Sequence, residues 1–230
     1  MKKRKIGLPK KITTDLAYLC GVFAGDGSLN YRKNKNEYSL KCVGNPLDEK
    51  SFYHKIIYPK FKKTFGVSLK IKEQDLQTTY GFVLYSKEIY SYLTSTIGLP
   101  SGVKYGSLHI PAAFHSRKEL TIAFIKGVFD TDGCVSFKRR YTSIPYYPVI
   151  SLASKSRAFV QEIAHFLRDF GLKPVLLLDY RINDSRMLNG FTIINTIELN
   201  GEDNLKTWIH TIGFNSPKHL KKIRKYWKKY

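Results

Sequence analysis

One short phrase occurs twice in this chain. Leu19-Cys20-Gly21-Val22-Phe23-Ala24-Gly25-Asp26-Gly27 returns as Ile125-Lys126-Gly127-Val128-Phe129-Asp130-Thr131-Asp132-Gly133, and seven of the nine positions keep their character. The closing acids, Asp26 and Asp132, lie 106 residues apart in a chain of 230, so each half carries one copy. Small residues stand four apart in both copies, Gly21 with Gly25 and Gly127 with Thr131, which places each pair on one face of a helix. Such faces let two backbones approach closely, and the expected partner of each helix is its own copy across a pseudo-twofold axis. Asp26 and Asp132 then meet near that axis, in the last helical turn, with Gly27 and Gly133 expected as left-handed C-cap residues.

A carboxylate at a helix C-terminus faces partial negative charge and loses on the order of 0.3–1 kcal/mol there. Two of them side by side also repel. A divalent cation between them reverses both penalties, and carboxylate, carbonyl and water oxygens suit Mg²⁺. An EF-hand reading of Asp130-Thr131-Asp132-Gly133 fails, because the glycine comes too early and the first copy has Ala24 where Asp130 stands.

Other landmarks repeat in the same order. Thr64-Phe65-Gly66-Val67 matches Asp169-Phe170-Gly171-Leu172, and Thr96-Ile97-Gly98-Leu99 matches Thr211-Ile212-Gly213-Phe214. The second half carries a small insertion, expected near Asn183-Asp184-Ser185. Hydrophobic periodicity gives each half a helix, two strands, a helix, two strands and a helix. Hairpins are expected at 28–33 with 37–43 and at 67–72 with 79–85 in the first half. In the second half strands are expected near 134–140, 149–153, 175–180 and 191–199, with helices over 119–132, 156–170 and 204–212. Residues 105–116 read as the linker, dividing the chain into halves 1–112 and 113–230, the latter ending in a basic tail.

Lys and Arg number 39 against 18 Asp and Glu, a net charge of +21, which points to a polyanionic partner, nucleic acid first. No apolar run approaches the roughly 18–20 residues that span a bilayer, and Met1-Lys2-Lys3-Arg4-Lys5 is not followed by a signal-peptide core. Three cysteines, Cys20, Cys42 and Cys134, make no disulfide framework, so an intracellular setting, cytoplasm or nucleoid, is expected. The six His show no ligand or triad spacing.

These residues carry a close resemblance to the LAGLIDADG homing endonucleases, of the single-chain, two-motif type found in archaeal introns and inteins. It runs from about Thr13 to Lys222. Gly44-Asn45-Pro46-Leu47-Asp48-Glu49-Lys50 and Asn215-Ser216-Pro217-Lys218-His219-Leu220 also look like the family. The resemblance implies an α+β fold of two αββαββα halves, with the motif helices packed centrally and two curved antiparallel sheets forming a saddle over duplex DNA. It implies that Asp26 and Asp132 bind metal, joined by the carbonyls of Gly25 and Thr131. The implied reaction is Mg²⁺-dependent hydrolysis of both strands at a long asymmetric target, leaving short 3′ overhangs. Mn²⁺ is an alternative ion, and Ca²⁺ one that binds without supporting cleavage. The protein is expected to act as a monomer with internal pseudo-symmetry.

The family also places a Lys where a strand enters the next helix, which Lys87 and Lys155 match. Asn200 and Asn45 stand at the corresponding places of the opposite halves, so the site is expected to be chemically asymmetric and the two strands to be cut at unequal rates. Strand alternation offers DNA contacts at Asn30, Arg32, Lys33, Lys41, Lys70, Lys72, Gln77 and Thr79 in the first half. In the second half it offers Lys138, Arg140, Tyr141, Arg181, Asn183, Arg186 and Thr192. The run Lys218, Lys221, Lys222, Arg224, Lys225, Lys228 and Lys229 adds phosphate contacts. An intron-RNA maturase and a non-catalytic DNA-binding protein on the same scaffold are the rival readings. The first does not need both motif acids, and the second would have lost one. An intein splicing element is not expected, since the chain runs from Met1 to Tyr230 without a closing His-Asn pair.

Overall fold

The computed structural model describes residues 6–227, so Lys228 and Lys229 of the basic tail lie outside the described residues. Helix α1 (Thr14–Ala24) begins where the Thr13 hydroxyl accepts the Leu16 N–H. Strands β1 (Gly27–Arg32) and β2 (Glu37–Gly44) follow, then a helix in three parts: α2 (Lys50–Phe52), a π segment (Tyr53–Ile57) and α3 (Tyr58–Phe65). Pro59 has no N–H to bond the preceding turn, and the π segment sits just before it. Strands β3 (Lys72–Gln74) and β4 (Thr79–Tyr85) lead to α4 (Lys87–Ser91), which runs on as a π segment (Tyr92–Ile97).

After the short α5 (Ala112–His115) the order repeats as α6 (Lys118–Thr131), β5 (Gly133–Lys138), β6 (Tyr147–Ser154), α7 (Arg157–Asp169), β7 (Pro174–Asn183), β8 (Phe191–Asn200) and α8 (Glu202–Thr211). Helix α9 (Pro217–Trp227) closes the described chain. Among the described residues the strands form two antiparallel sheets with the same topology, β1-β2-β4-β3 and β5-β6-β8-β7. No helix of the described residues is long and apolar enough to cross a membrane.

The two motif helices pack against each other at the centre. A Cβ on Gly21 would lie 2.0 Å from the Phe124 carbonyl oxygen, and one on Gly127 would lie 2.2 Å from that of Tyr18. Both obstacles are backbone, which cannot step aside as a side chain does. Each helical glycine costs roughly 1 kcal/mol of helix propensity, and the close approach of the two halves offsets it. Gly127→Ala is therefore expected to destabilise the fold by about 2 kcal/mol or more, through overpacking at a rigid contact. Urea unfolding at neutral pH measures it; a midpoint equal to wild type would mean that the helices separate freely.

Two expectations are corrected. Gly27 and Gly133 are not left-handed caps, since neither has positive φ; each is the first residue of a strand. Glycine is required there because a Cβ would strike the preceding helix, 2.5 Å from Phe23 Cα or 2.4 Å from the Phe129 oxygen. Residues 67–72 are not a full strand. Val67 and Leu69 are buried while Ser68 and Lys70 are exposed, but ladder pairing covers only Lys72–Gln74. Packing alternate side chains against the core fixes their facing without supplying a strand partner. Within the linker, Leu108, Ile110 and Phe114 are buried in the core. The insertion in the second half lies in the β7–β8 hairpin, which is longer than β3–β4 and bulges between Leu177 and Tyr180.

Candidate active site

The ends of α1 and α6 bring Asp26 and Asp132 together. A Cβ on Gly25 would lie 3.3 Å from the Asp132 carboxyl carbon and 2.1 Å from the Thr131 hydroxyl, so the acid of one half crosses to the backbone of the other. The two carboxyls share a hydrogen bond. Burial raises Asp26 most, then the neighbouring charges of Asp132 and Glu49, and the result is about 8 against an ordinary 3.8. Asp132 is raised by burial too, while Lys104, the bond from Asp26 and Lys218 hold it back. The dyad therefore keeps a proton at neutral pH.

Two ammonium groups flank the dyad; Lys104 was missed in the sequence, and Lys218 was read there only as a phosphate contact of the basic run. Lys104 Nζ donates to the carbonyls of Ala24 at 2.9 Å, Gly25 at 2.6 Å, Gly27 at 2.8 Å and Phe23 at 3.3 Å, capping the C-terminus of α1. Burial holds it below the usual lysine range although both acids oppose that shift. Lys218 Nζ lies 3.4 Å from the Thr131 carbonyl at the end of α6 and is paired with Glu49. Burial pulls this ammonium down, but the Glu49 carboxylate more than compensates. The signal in the sequence was a lysine six residues after Gly98 and another five after Gly213, the matched helix stops.

Asp130 was also missed. It is fully buried and accepts the Tyr18 hydroxyl at 2.7 Å and the backbone N–H groups of Asn215 at 3.0 Å and Ser216 at 2.9 Å. Burial lifts it to about 6 against the pull of those bonds. It fastens α1, α6 and the segment that carries Lys218.

Gly25 and Thr131 offer their carbonyls beside the acids, and an ammonium already rests on each. The two carboxyls and the Gly25 and Thr131 carbonyls form an oxygen donor set that fits a hard divalent ion, which on binding would displace the dyad proton and the ammonium groups now resting on the carbonyls. Among the described residues no group of three or more His, Cys, Asp or Glu side chains forms a metal cluster. A cation here would rest on two carboxylates and backbone, with water and phosphate oxygens completing its shell.

Lys155 lines a cavity of about 250 Å³ together with Gly25, Lys104 and Asp132, its Nζ 4.8 Å from the Tyr105 ring centre. Lys87 stands elsewhere. It lies over the Tyr38 ring at 5.6 Å, in a groove with Lys35, Glu37 and Tyr85 at the far end of the first sheet. Matching the helix caps Ser86 and Gly201 gives Lys87 the counterpart Glu202 rather than Asn200.

Helices cover one face of each sheet, and strand register sorts the expected DNA contacts. Asn30, Arg32, Lys41, Lys72 and Thr79 share the open face of the first sheet, opposite the buried Leu29, Leu40, Phe82 and Leu84. Lys33 is in the β1–β2 turn, Lys70 precedes β3, and Gln77 ends a run of three left-handed residues with Asp75 and Leu76. Several of these cations have partners: Arg32 with Glu37 at 3.3 Å, Lys41 with Asp75 at 2.6 Å and, in the second sheet, Lys138 with Glu198 at 3.0 Å. Such exposed pairs are worth about 0–1 kcal/mol and yield readily to phosphate.

Arg140 lies over the Tyr147 ring at 4.0 Å, and Tyr141 is exposed in the β5–β6 loop. Arg181 and Asn183 pair with Ile193 and Phe191, so they face away from Thr192, which pairs with Ile182. Those three residues do not share one face of the hairpin. Arg186 bonds Asp184 in the turn. In α9, Lys218 points inward to Glu49, and Tyr226 stacks on Phe137 with ring centres 4.4 Å apart, which seats the helix against the second sheet.

Residues 119–213 match the model of the LAGLIDADG-like domain. The tRNA-splicing ligase RtcB of Methanopyrus kandleri is 24% identical over 212 residues, 86% of this chain and 20% of the ligase. The ribonucleoside-diphosphate reductase NrdEB subunit alpha of Bacillus subtilis is 29% identical over 69% of this chain and 14% of its own length. The replication factor C small subunit of Methanocaldococcus jannaschii is 28% identical over 91% of this chain and 10% of its own. The chain thus spans a fifth or less of these relatives. Among solved structures, the homing endonuclease I-DmoI in complex with DNA and Ca superposes with a TM-score of 0.61 at 20% identity, over 92% of this chain and 97% of that one. The I-LtrWI LAGLIDADG homing endonuclease bound to target DNA gives 0.57 at 9% identity, over 93% and 88%. Residues 119–213 thus resemble a LAGLIDADG-like domain, and the chain as a whole has the two-domain fold of the LAGLIDADG homing endonucleases.

Proposed function

We propose that this protein is a site-specific endonuclease that hydrolyses both strands of duplex DNA at a long asymmetric target, with Mg²⁺, leaving short 3′ overhangs. The observation that carries this reading is the Asp26–Asp132 pair brought together where two helices end, flanked by Lys104 and Lys218. Keeping two carboxyls side by side costs stability through their mutual repulsion, and nothing in packing the halves requires it. The matched relatives bear names of unrelated activities, and this chain spans a fifth or less of each. The matched endonuclease structures hold target DNA with Ca, Mn or Mg.

When bound, a divalent ion would supply Lewis-acid polarisation of the scissile phosphate and charge to offset the leaving oxygen. The chain's own groups do the rest. Asp26 and Asp132, with the Gly25 and Thr131 carbonyls, hold the ion on the pseudo-twofold axis. Lys104 and Lys218 present ammonium donors on either side of it, where charge develops in the transition state. Lys155 faces the solvent cavity on one side and orders water there. The open sheet faces, with Asn30, Arg32, Lys41, Lys72 and Lys138, grip phosphates and base edges. The halves differ at these positions, which makes the target non-palindromic.

The test begins with duplexes selected from a random library for binding. A plasmid carrying a selected site is expected to be linearised in Mg²⁺ and left intact in EDTA. Binding without cleavage in any divalent ion would overturn the nuclease reading and leave a DNA-binding protein.

A further inference from the structure

We propose that Glu49 is a positioning residue for one of the two cleavage half-sites, holding the Lys218 ammonium in place, and that its loss converts the protein into an enzyme that nicks one strand. The inference rests on the nuclease reading above. It starts from a difference between the halves. Five residues, 45–49, join β2 to α2, but only two, 155–156, join β6 to α7. Glu49 belongs to the longer connection and has no counterpart in the shorter one.

The place of this carboxylate is built. Glu49 is 4% exposed, and one of its oxygens accepts the Asn45 N–H at 2.7 Å while the other takes Lys218. Gly44 makes room for it, since a Cβ there would lie 1.7 Å from the carboxylate oxygen.

The two flanking lysines are held by different means. Lys104 is fixed by four carbonyl oxygens and needs no acid of its own. Lys218 has one long carbonyl contact, at 3.4 Å, and otherwise depends on Glu49. The backbone beneath Lys218 is anchored separately, through the bonds of Asn215 and Ser216 to Asp130. Removing the charge of Glu49 therefore releases the ammonium end of Lys218 and leaves its backbone, and the four carbonyl bonds that hold Lys104, as they were.

The experiment uses the full chain and a library-selected duplex with a different dye on each strand. Binding is measured in EDTA and cleavage in Mg²⁺. Glu49→Gln keeps the shape and one hydrogen bond, and is expected to bind within about twofold of wild type. It should slow cleavage of one strand on the order of a hundredfold, the scale for a catalytic group displaced by about 1 Å, so that nicked duplex accumulates. Lys218→Met should impair the same strand, and Lys104→Met the other. Glu49→Asp, which keeps the charge on a shorter stem, should show a weaker bias in the same direction and guards against failure of the Gln variant to fold. Equal slowing of both strands, or no change in either, would overturn the role of Glu49. If wild type cuts neither strand, the nuclease reading itself fails and this inference with it.

Discussion

Asp26→Asn and Asp132→Asn are each expected to abolish cleavage of both strands, by about a thousandfold or more, while DNA binding in EDTA stays intact. The reason is geometric. The carboxyls share one hydrogen bond across the pseudo-twofold axis, so neither half-site has an acid to itself. An amide in place of either removes the negative charge that would hold a divalent ion, and leaves a single carboxylate with backbone carbonyls. Binding in EDTA should be spared, because without a divalent ion the dyad already holds a proton and the amide replaces a neutral carboxyl, leaving the charge beneath the polyanion as it was. Both readouts come from one preparation, with linearisation of a site-bearing plasmid measured in Mg²⁺ and anisotropy of a labelled duplex in EDTA. Cleavage surviving either substitution would mean that the dyad is not where the ion is held. Loss of binding together with cleavage would mean that the dyad serves the fold instead.

The fold was legible because it is written twice. A phrase repeated with small residues at matching positions tells a chain which two helices must touch, and the Gly21–Phe124 and Gly127–Tyr18 contacts are that message in atoms. The topology of each half followed from periodicity, since hairpins and helices are local. Parts of the site were not legible, for a physical reason. Lys104, Lys218, Glu49 and Asp130 act through contacts between residues 77 to 169 positions apart in sequence. A lysine in a linker and a lysine in a basic run look like solvated charge until the fold buries them. Lys87 shows the converse: it sits at a helix start as expected, but the sheet carries it to the end remote from the acids. Alternation told which strand residues share a face only while the ladder stayed regular, and the bulge after Leu177 breaks that count for Arg181 and Asn183.

Asp26→Asn is also expected to make the folded protein more stable at neutral pH when no divalent ion is present. The folded state raises Asp26 from 3.8 to about 8, through burial first and then the charges of Asp132 and Glu49. A carboxyl raised on folding binds its proton more tightly in the native state than in the unfolded chain. Below the unfolded value both states are protonated and the site costs nothing. As pH climbs from about 4 towards 8, the unfolded chain gains the freedom to ionise while the native dyad does not, and stability falls. At pH 7 the penalty is on the order of a few kcal/mol. The Asn variant escapes it, since its amide is neutral and donates to the remaining carboxylate of Asp132. The stability gap between Asp26→Asn and wild type should therefore be small near pH 4.5 and widen by pH 7.5 in urea melts with EDTA. Adding Mg²⁺ should narrow it again, because an ion that binds only the native wild type raises that stability by mass action. A gap that does not move with pH would show that the two acids ionise freely in the fold, and a variant less stable than wild type at pH 7.5 would show that their charges are already compensated by Lys104 and Lys218 alone.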